Sequence, residues 1–115
     1  MVFAHGSRIE PANEAVRVAA RELARLGGFD HVEAAFLELG QPDLPGAVAR
    51  LAAAGVQRVV VIPYFLTPGR HLERDLPRIV EGILLTHPHL DLRVTASLDG
   101  HPAMTEILLD RARSA

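Results

Sequence analysis

The sequence contains no cysteine, no lysine and no tryptophan, and aromatic residues make up only 4% of its 115 residues. The lack of cysteine excludes disulfides, thiolate nucleophiles, iron–sulfur clusters and cysteine-ligated zinc. With so few aromatic side chains for base stacking, and a formal net charge of -2, we expect no nucleic-acid partner. All 12 cationic side chains are arginine, whose planar guanidinium group is suited to binding carboxylates or phosphates.

Long hydrophobic runs are also absent. No apolar stretch approaches the roughly 20 residues of a transmembrane helix. The N-terminus has neither the basic segment nor the apolar stretch of a signal peptide. We therefore expect a cytoplasmic protein with no membrane partner. A hydrophobic content of 49% over 115 residues predicts one globular domain spanning 1–115, large enough to bury a core.

What the sequence does contain is an alternation of apolar runs and helical periodicity. Strands are predicted at 1–4, 31–37, 57–62 and 91–97, and helices at 10–26, 44–54, from near Asp75 onward, and 103–113. Four strand–helix repeats predict an α/β fold. We expect a flavodoxin-like three-layer sandwich, with a four-stranded parallel sheet in the order 2-1-3-4 and helices on both faces.

Side-chain patterns within these elements give finer expectations. The unbroken apolar run in "QRVVVI" predicts a third strand that is buried on both faces. Pro77 is expected in the first turn of the third helix, because proline disrupts a helix interior. Periodicity predicts that the first helix buries the side of Ala12, Ala15, Ala19, Leu23 and Leu26, and the last helix that of Met104, Ile107 and Leu108.

Three potential ligands follow three neighbouring strands. His5 ends strand 1, Glu38 ends strand 2, and His71 follows strand 3. In parallel α/β sheets, ligands bind at the carboxyl ends of the strands, where the strand order reverses. That point lies between strands 1 and 3, so we expect both histidines to flank one crevice.

This combination of residues is suited to binding a metal that can be released. Two neutral imidazoles bind first-row divalent ions and leave most coordination positions free. Glu38 could be a third ligand or a general base. A hydrogen-bonded turn or helix-capping role for His5 is the alternative. Arg8 and Arg70 lie beside the histidines and could bind substrate carboxylates, or they could be solvated loop arginines.

Other side chains leave alternatives open. Tyr64 and Phe65 could wall the crevice or belong to the core at the strand end. His87, His89 and His101 lie at turns, and a metal site at His87 and His89 is the weaker alternative. No G-x-S-x-G elbow surrounds Ser7, which is expected in a turn or at a helix N-cap rather than as a nucleophile.

Several segments together resemble one family. They are "HGSR" with Asn13 downstream, "FLELGQPDLPGAV", "VVVIPYFLTPGRHLERDLP" and "DGHPAM", in that order along nearly the whole chain. The chain resembles the sirohydrochlorin cobaltochelatase family, the class II tetrapyrrole chelatases, in its short single-domain form. This resemblance implies a flavodoxin-like fold and an enzyme that inserts a divalent metal into a reduced tetrapyrrole without ATP.

The resemblance also implies residue roles. His5 and His71 would bind the metal, and Glu38 would bind metal or accept pyrrole protons. The arginines named above would meet substrate carboxylates, and Tyr64 and Phe65 would wall the macrocycle. Co²⁺ is the expected metal substrate, with Fe²⁺ and Ni²⁺ as alternatives. No organic cofactor is expected, and the short form implies a homodimer.

Two other classes of function stay open, the first of them because of one departure from the family pattern. Only four residues precede His5, fewer than the family usually has before this histidine. A non-catalytic carrier of metal or tetrapyrrole is one alternative. A flavodoxin-like regulatory or interaction module without metal is the other.

Overall fold

The structure, a computed structural model, describes residues 1–67 and 69–115, and for His71 it describes the backbone alone. Strands and helices alternate along the chain as predicted. The strands are β1 (Val2–Ala4), β2 (Ala34–Phe36), β3 (Arg58–Pro63) and β4 (Asp91–Val94). The helices are α1 (Glu10–Gly27), α2 (Leu44–Ala53), α3 (Arg70–Thr86) and α4 (Pro102–Ser114). None of the helices in the described ranges has the length and apolar character needed to cross a bilayer.

The four strands form one parallel sheet in the order β2-β1-β3-β4. Phe3 of β1 pairs with Ala35 of β2, and Val59 of β3 pairs with Leu92 of β4. This confirms the predicted fold class and strand order. The switch point therefore lies between β1 and β3, and the loops after β1, β2 and β3 meet at one edge of the sheet.

The main core lies between the sheet and the helices α2 and α3. Phe3, Leu44, Val48 and Val61 are almost completely buried there, and residues of α3 pack against them. β3 contributes the alternate side chains Val59 and Val61 to this face, as expected for a strand whose side chains point alternately up and down. This core fixes β1 and β3 next to each other and so fixes the position of the switch point.

The opposite face of the sheet is covered by α1 over β1 and β2. The predicted buried side of this helix is wrong, because Ala12 and Ala15 are exposed and Leu26 is 75% exposed. The buried side is displaced by one residue and contains Asn13, Val16 and Ala20. Alanine occurs on both the buried and the exposed side of α1, so the spacing of apolar residues was compatible with two adjacent lines of residues along the helix. The line that is buried contains the polar Asn13, which made it look less apolar than its neighbour.

Beyond α1, the same face of the sheet is open. Val60 and Ile62 of β3 are only half-buried, so the prediction that this strand is buried on both faces is wrong. The predicted inward side of the last helix is also wrong. Ile107 is 49% and Leu108 66% exposed, Met104 is half-buried, and no residue of α4 is buried. α4 leaves the sheet instead of covering it, which amphipathic spacing cannot reveal.

The third helix starts earlier than predicted. It begins at Arg70 rather than near Asp75, and Pro77 lies inside the helix. Gly69 is the N-cap, and the Glu73 amide donates to its carbonyl, so the first turn closes well before the proline. Proline removes only one backbone donor, and tertiary packing of an amphipathic helix can compensate for that loss.

Candidate functional site

The loops after β1 and β2 run side by side beyond the ends of the strands. The Leu37 amide donates to the Ala4 carbonyl at 2.8 Å, and the Glu38 amide donates to the His5 carbonyl at 3.0 Å. The backbone hydrogen bonds of the sheet therefore continue through the two residues singled out from the sequence. This pairing confirms that His5 and Glu38 lie at the same sheet edge.

Their side chains also converge. His5 Nε2 lies 3.5 Å from Glu38 Oε1, and both side chains are more than half exposed. His5 Nδ1 lies 3.2 Å from the Gly6 carbonyl oxygen. A carbonyl oxygen only accepts, so Nδ1–H is the donor, and in the neutral imidazole Nε2 is left with a lone pair. An imidazole lone pair and a carboxylate oxygen therefore share one solvent-accessible space.

This separation fits two ligands of one first-row divalent ion. For metal–nitrogen and metal–oxygen distances of about 2.1 Å, a 3.5 Å separation gives an angle of roughly 115° at the metal, close to tetrahedral. When His5 is protonated, the same pair forms a salt bridge instead. Protons and metal therefore compete for this site.

A buried amide joins the two loops that carry the pair. Asn13 is only 1% exposed. Its Oδ1 accepts from the Ser7 amide at 2.9 Å, and its Nδ2 donates to the Ser7 carbonyl at 2.9 Å and the Leu39 carbonyl at 3.2 Å. Sequence reasoning noted Asn13 only within the family resemblance. A polar residue on an otherwise apolar helix stripe is the signal that identifies its role, because a buried polar side chain needs partners.

Gly6 allows the two loops to approach. Its φ is +94°, and a Cβ atom there would lie 1.7 Å from the Glu38 carbonyl oxygen. No side chain fits in that space, so the contact between the His5 and Glu38 segments depends on glycine. Ser7 adds a turn in which its hydroxyl accepts from the Ile9 amide at 3.0 Å, as expected for a turn residue.

A charge cluster on α1 extends this support. Arg17 donates to Glu10 at 2.6 Å and to the Gln41 carbonyl at 3.2 Å, and its guanidinium lies 5.3 Å from the centroid of the Phe36 ring. The hydrogen bond from Arg17 lowers the pKa of Glu10, so that carboxylate stays ionised below its usual range. Arg17 thereby ties α1 to the loop that follows Glu38.

His71 lies in the first turn of α3, at the same edge of the sheet. Its side chain lies outside the part of the chain that the structure describes, so its predicted approach to His5 stays a prediction. Among the side chains that are described, no three of the His, Asp and Glu type gather closely enough to hold a metal ion. Arg8 and Arg70 are exposed and form no ion pair with any described residue.

The structure separates the two aromatic candidates. Phe65 is half-buried and packs edge-on against Phe3, with ring centroids 6.1 Å apart, which matches the core alternative. Tyr64 is 42% exposed and borders an apolar groove. That groove has a volume of about 520 Å³ and is lined by Tyr64, Leu66, Leu98, His101, Ala103, Met104 and Ile107.

Sequence reasoning did not include most of this lining in the site. Met104 and Ile107 were expected to pack inward, yet they face the groove next to the loop after β3. His101 is the N-cap of α4, and its Nδ1 accepts from the Ala103 amide at 3.1 Å, which agrees with its predicted place in a turn. The Leu98 amide donates to the Phe65 carbonyl at 3.1 Å and holds the start of α4 beside the site.

Comparison with known proteins places this chain in a family. The CbiX family model matches residues 1–115. A protein from Methanothermobacter thermautotrophicus named sirohydrochlorin cobaltochelatase is 30% identical over 130 residues, which cover 100% of this chain and 90% of that protein. A protein of the same name from Methanopyrus kandleri is 36% identical over 80 residues, covering 70% of this chain and 56% of that protein.

A solved structure gives the same result. The crystal structure of a CbiX protein from Marinobacter aquaeolei VT8 superposes with a TM-score of 0.84 at 26% sequence identity, covering 98% of this chain and 92% of that one. The match to the Methanopyrus kandleri protein spans little more than half of that relative's length. The family model nevertheless covers every residue from 1 to 115, and the chain belongs to the CbiX family.

Proposed function

We propose that this protein inserts a divalent metal into sirohydrochlorin or a related reduced tetrapyrrole without ATP, and that Co²⁺ is the metal. The observation that carries the proposal is the 3.5 Å approach of His5 Nε2 to Glu38 Oε1 beside the switch point of the sheet. The names of the curated relatives supply the substrate and the metal. The ion is the substrate of this reaction, and the protein must hold it weakly enough to release it.

In this proposal His5, Glu38 and His71 bind the ion before transfer. β1 and β3 are neighbouring strands, so their ends lie about 5 Å apart. His5 directly follows β1, and His71 lies in the first turn of the helix that follows β3. Three protein ligands leave positions open for the pyrrole nitrogens, in contrast to a closed structural site. The exposure of His5 and Glu38 gives the tetrapyrrole direct access to the ion.

The reaction also releases protons. When a divalent ion enters a free-base tetrapyrrole, two pyrrole N–H protons leave and four nitrogens bind the metal. The Glu38 carboxylate can accept a proton and pass it to water, because its side chain is 58% exposed. Nε2 of His5 can accept the second one once the metal has left it. The same two groups can therefore deliver the metal and remove the protons.

The groove bordered by Tyr64 is proposed as the surface that receives one face of the macrocycle. Its lining is mostly apolar, as required for a flat ring with an apolar face. Arg8 and Arg70 lie at the same edge and can bind rim carboxylates through bidentate hydrogen bonds. Phe65 is proposed to contribute by supporting Tyr64 from within the core.

The proposal includes the remaining expectations from the sequence. Residues 1–115 form one chelatase-like domain that acts in the cytoplasm as a homodimer, with no organic cofactor. The net charge of -2 and the scarcity of aromatic residues support the exclusion of nucleic acid as a partner. No membrane partner is proposed.

The test is metal insertion followed by absorbance. Purified protein is incubated with sirohydrochlorin and Co²⁺, Fe²⁺ or Ni²⁺ under anaerobic conditions, and the rate is compared with the protein-free background. We expect acceleration of Co²⁺ insertion by at least about 100-fold, because positioning and proton removal each contribute that much. Faster insertion of Fe²⁺ or Ni²⁺ would reassign the metal. Stoichiometric Co²⁺ binding without acceleration would indicate a carrier, and no binding would indicate a module without metal.

Glu38→Gln tests proton acceptance separately from metal binding. The amide keeps the size and one oxygen ligand but cannot take a proton, so we expect a rate lower by about 10²-fold and a changed pH–rate profile. Co²⁺ affinity should fall much less. Asp43→Asn at the N-cap of α2 is the control, since it changes a carboxylate outside the pair. An unaltered pH–rate profile in Glu38→Gln would rule out the proton-accepting role.

A further inference from the structure

The groove that Tyr64 borders has two polar side chains in an otherwise apolar wall. Among the described residues that line it, only Tyr64 and His101 have a nitrogen or oxygen atom in the side chain. His101 is exposed, so its imidazole is accessible to a ligand in the groove. Binding sites for organic molecules combine apolar walls with a few polar groups that fix the orientation of the ligand. His101 is therefore a candidate for orienting the molecule that occupies the groove.

One hydrogen bond determines which nitrogen of His101 carries the proton. Nδ1 accepts from the Ala103 amide at 3.1 Å and thereby caps α4. An amide N–H only donates, so Nδ1 presents its lone pair and the neutral ring carries its proton on Nε2. Protonation of both nitrogens would remove the cap. The capped form of the helix therefore makes Nε2–H a hydrogen-bond donor.

This donor is free to bind a ligand. In the part of the chain that the structure describes, Nε2 of His101 has no hydrogen bond or ion pair. Asp99, the nearest acidic residue in the sequence, accepts from the Ser97 hydroxyl. The amides of the first turn are occupied, because Ala103 donates to Nδ1 and Met104 donates to the His101 carbonyl. The start of α4 therefore offers a ligand Nε2–H rather than a backbone amide.

The backbone fixes His101 beside the loop after β3. The His101 amide donates to the Leu98 carbonyl at 3.2 Å and closes a four-residue turn, in which Gly100 has a φ of +74°. The Leu98 amide in turn donates to the Phe65 carbonyl at 3.1 Å. Two backbone hydrogen bonds therefore connect the imidazole to the loop after β3, at the edge of the sheet that carries the candidate metal site. A donor fixed in this way loses little freedom when it binds a ligand.

We propose that His101 binds a carboxylate on the rim of the macrocycle through Nε2–H. The inference rests on the proposed function and adds a residue that orients the tetrapyrrole. A flat ring that covers the apolar wall carries its carboxylates around its rim, and hydrogen bonds to a charged acceptor are stronger than those between neutral groups. The rim carboxylate does not change during metal insertion. His101 therefore strengthens binding of the tetrapyrrole and leaves the chemical step unchanged.

Two other roles for this imidazole conflict with the cap. A metal ligand or a proton acceptor needs a lone pair, and the one ring lone pair of this tautomer is used by the Ala103 amide. Transfer of the proton to Nδ1 would free Nε2 but would remove the cap. Replacement of His101 should therefore leave Co²⁺ affinity unchanged, in contrast to replacement of His5.

Substitution by serine tests the donor without removing the cap. Serine is a preferred N-cap residue, but its short side chain does not extend to the position of Nε2. Sirohydrochlorin is titrated with metal-free protein under anaerobic conditions, and the absorbance of the macrocycle reports binding. We expect His101→Ser to raise Kd by about tenfold, as for the loss of one hydrogen bond to a charged group. Helix content in circular dichroism should not change.

Two further variants complete the comparison. His101→Asp also keeps the cap but places a negative charge beside the carboxylate, so its Kd should be higher than that of His101→Ser. His89→Ser is the matched control. It removes an exposed histidine from the turn between α3 and β4, at the opposite edge of the sheet, and should leave Kd unchanged.

The methyl ester of sirohydrochlorin identifies the group that His101 contacts. The ester has the same ring without the charged rim, so the unaltered protein, His101→Ser and His101→Asp should bind it with Kd values within about twofold of one another. In Co²⁺ insertion into the free acid, KM for the tetrapyrrole should rise by about tenfold in His101→Ser. In the same variant kcat should stay within about twofold, since the interaction is the same in the ground state and the transition state.

Three results would overturn this role. Unchanged Kd for sirohydrochlorin in His101→Ser and His101→Asp would show that Nε2–H binds no carboxylate. Equal losses of affinity for the acid and the ester would show that the groove itself has changed. A fall in Co²⁺ affinity would assign His101 to the metal.

The binding assay separates this inference from the proposed function because it contains no metal. Tight binding of sirohydrochlorin without acceleration of metal insertion would remove the chelatase function, and the assay would still show whether His101 binds the rim. Accelerated insertion with unchanged Kd in both variants of His101 would remove the inference alone. Absence of sirohydrochlorin binding to the unaltered protein would remove both.

Discussion

Replacement of His5 by alanine is expected to abolish metal insertion while leaving the fold intact. The imidazole is 57% exposed, and among the described residues it contacts the Gly6 carbonyl and the Glu38 carboxylate. Removal of an exposed side chain of this kind changes the free energy of unfolding by about 0.5 kcal/mol at most. The insertion rate should fall by at least about 100-fold, because Nε2 is both a metal ligand and a proton acceptor in the proposed mechanism.

The measurement combines three readouts on one preparation. Absorbance gives the rate of Co²⁺ insertion, calorimetry gives Co²⁺ affinity, and circular dichroism during heating gives stability. His89→Ala is the control, since His89 is exposed in the turn between α3 and β4 at the opposite edge of the sheet. It also tests the weaker alternative of a metal site at His87 and His89. Insertion that persists in His5→Ala but falls in His89→Ala would reverse the assignment of the site.

His71→Ala extends the same experiment to the side chain that the structure does not describe. If His5 and His71 share one ion, each variant should lose most Co²⁺ binding, and the double variant should lose little more. Residues that act on one ligand are not additive. If the fold-losses in Co²⁺ affinity of the two single variants multiply in the double variant, the two histidines act at separate sites.

The fold could be predicted from the sequence because its signals are local and repeated. β3 is rich in β-branched residues, glycine follows α1, and the alternation of strands and helices limits the topology to few choices. The positions of His5 and Glu38 followed from the general rule that ligands gather at the carboxyl ends of parallel strands. Two residues 33 positions apart in the sequence could therefore be expected at one edge.

The failures have a common physical cause. Amphipathic spacing shows that α4 has an apolar side, but not which surface covers it, because that depends on contacts beyond the helix itself. The half-burial of Val60 and Ile62 was missed for a related reason, because a run of β-branched residues does not show whether a helix covers each face of the strand. The role of Asn13 in joining two loops could not be predicted from its residue type and position, since hydrogen bonds between separate loops leave no periodic signal in the sequence. The predicted start of α3 near Asp75, with Pro77 in its first turn, was wrong because the burial of Leu72 and Leu76 outweighs the one hydrogen bond that the proline removes.

Gly6→Ala is expected to damage both stability and activity, although the change adds a single methyl group. The residue has φ +94°, and its new Cβ would meet the Glu38 carbonyl oxygen at 1.7 Å. The positive φ alone costs roughly 1–2 kcal/mol for an L-residue. Relief of the clash must also move backbone atoms, since the obstructing atom is a carbonyl oxygen. We expect a total loss of about 3 kcal/mol or more in the free energy of unfolding, which corresponds to roughly 10 °C in Tm.

Gly55→Ala separates the two contributions. Gly55 has φ +88°, nearly the same conformation, but nothing lies within 4 Å of the position of its Cβ. This control should lose only the roughly 1–2 kcal/mol of backbone strain and keep full insertion activity. In Gly6→Ala, the folded protein should still insert Co²⁺ at least about 100-fold more slowly, because displacement of the Glu38 segment by an ångström or more separates the two ligands. Equal Tm shifts in the two variants, or normal activity in Gly6→Ala, would mean that the close contact between the two loops does not position the site.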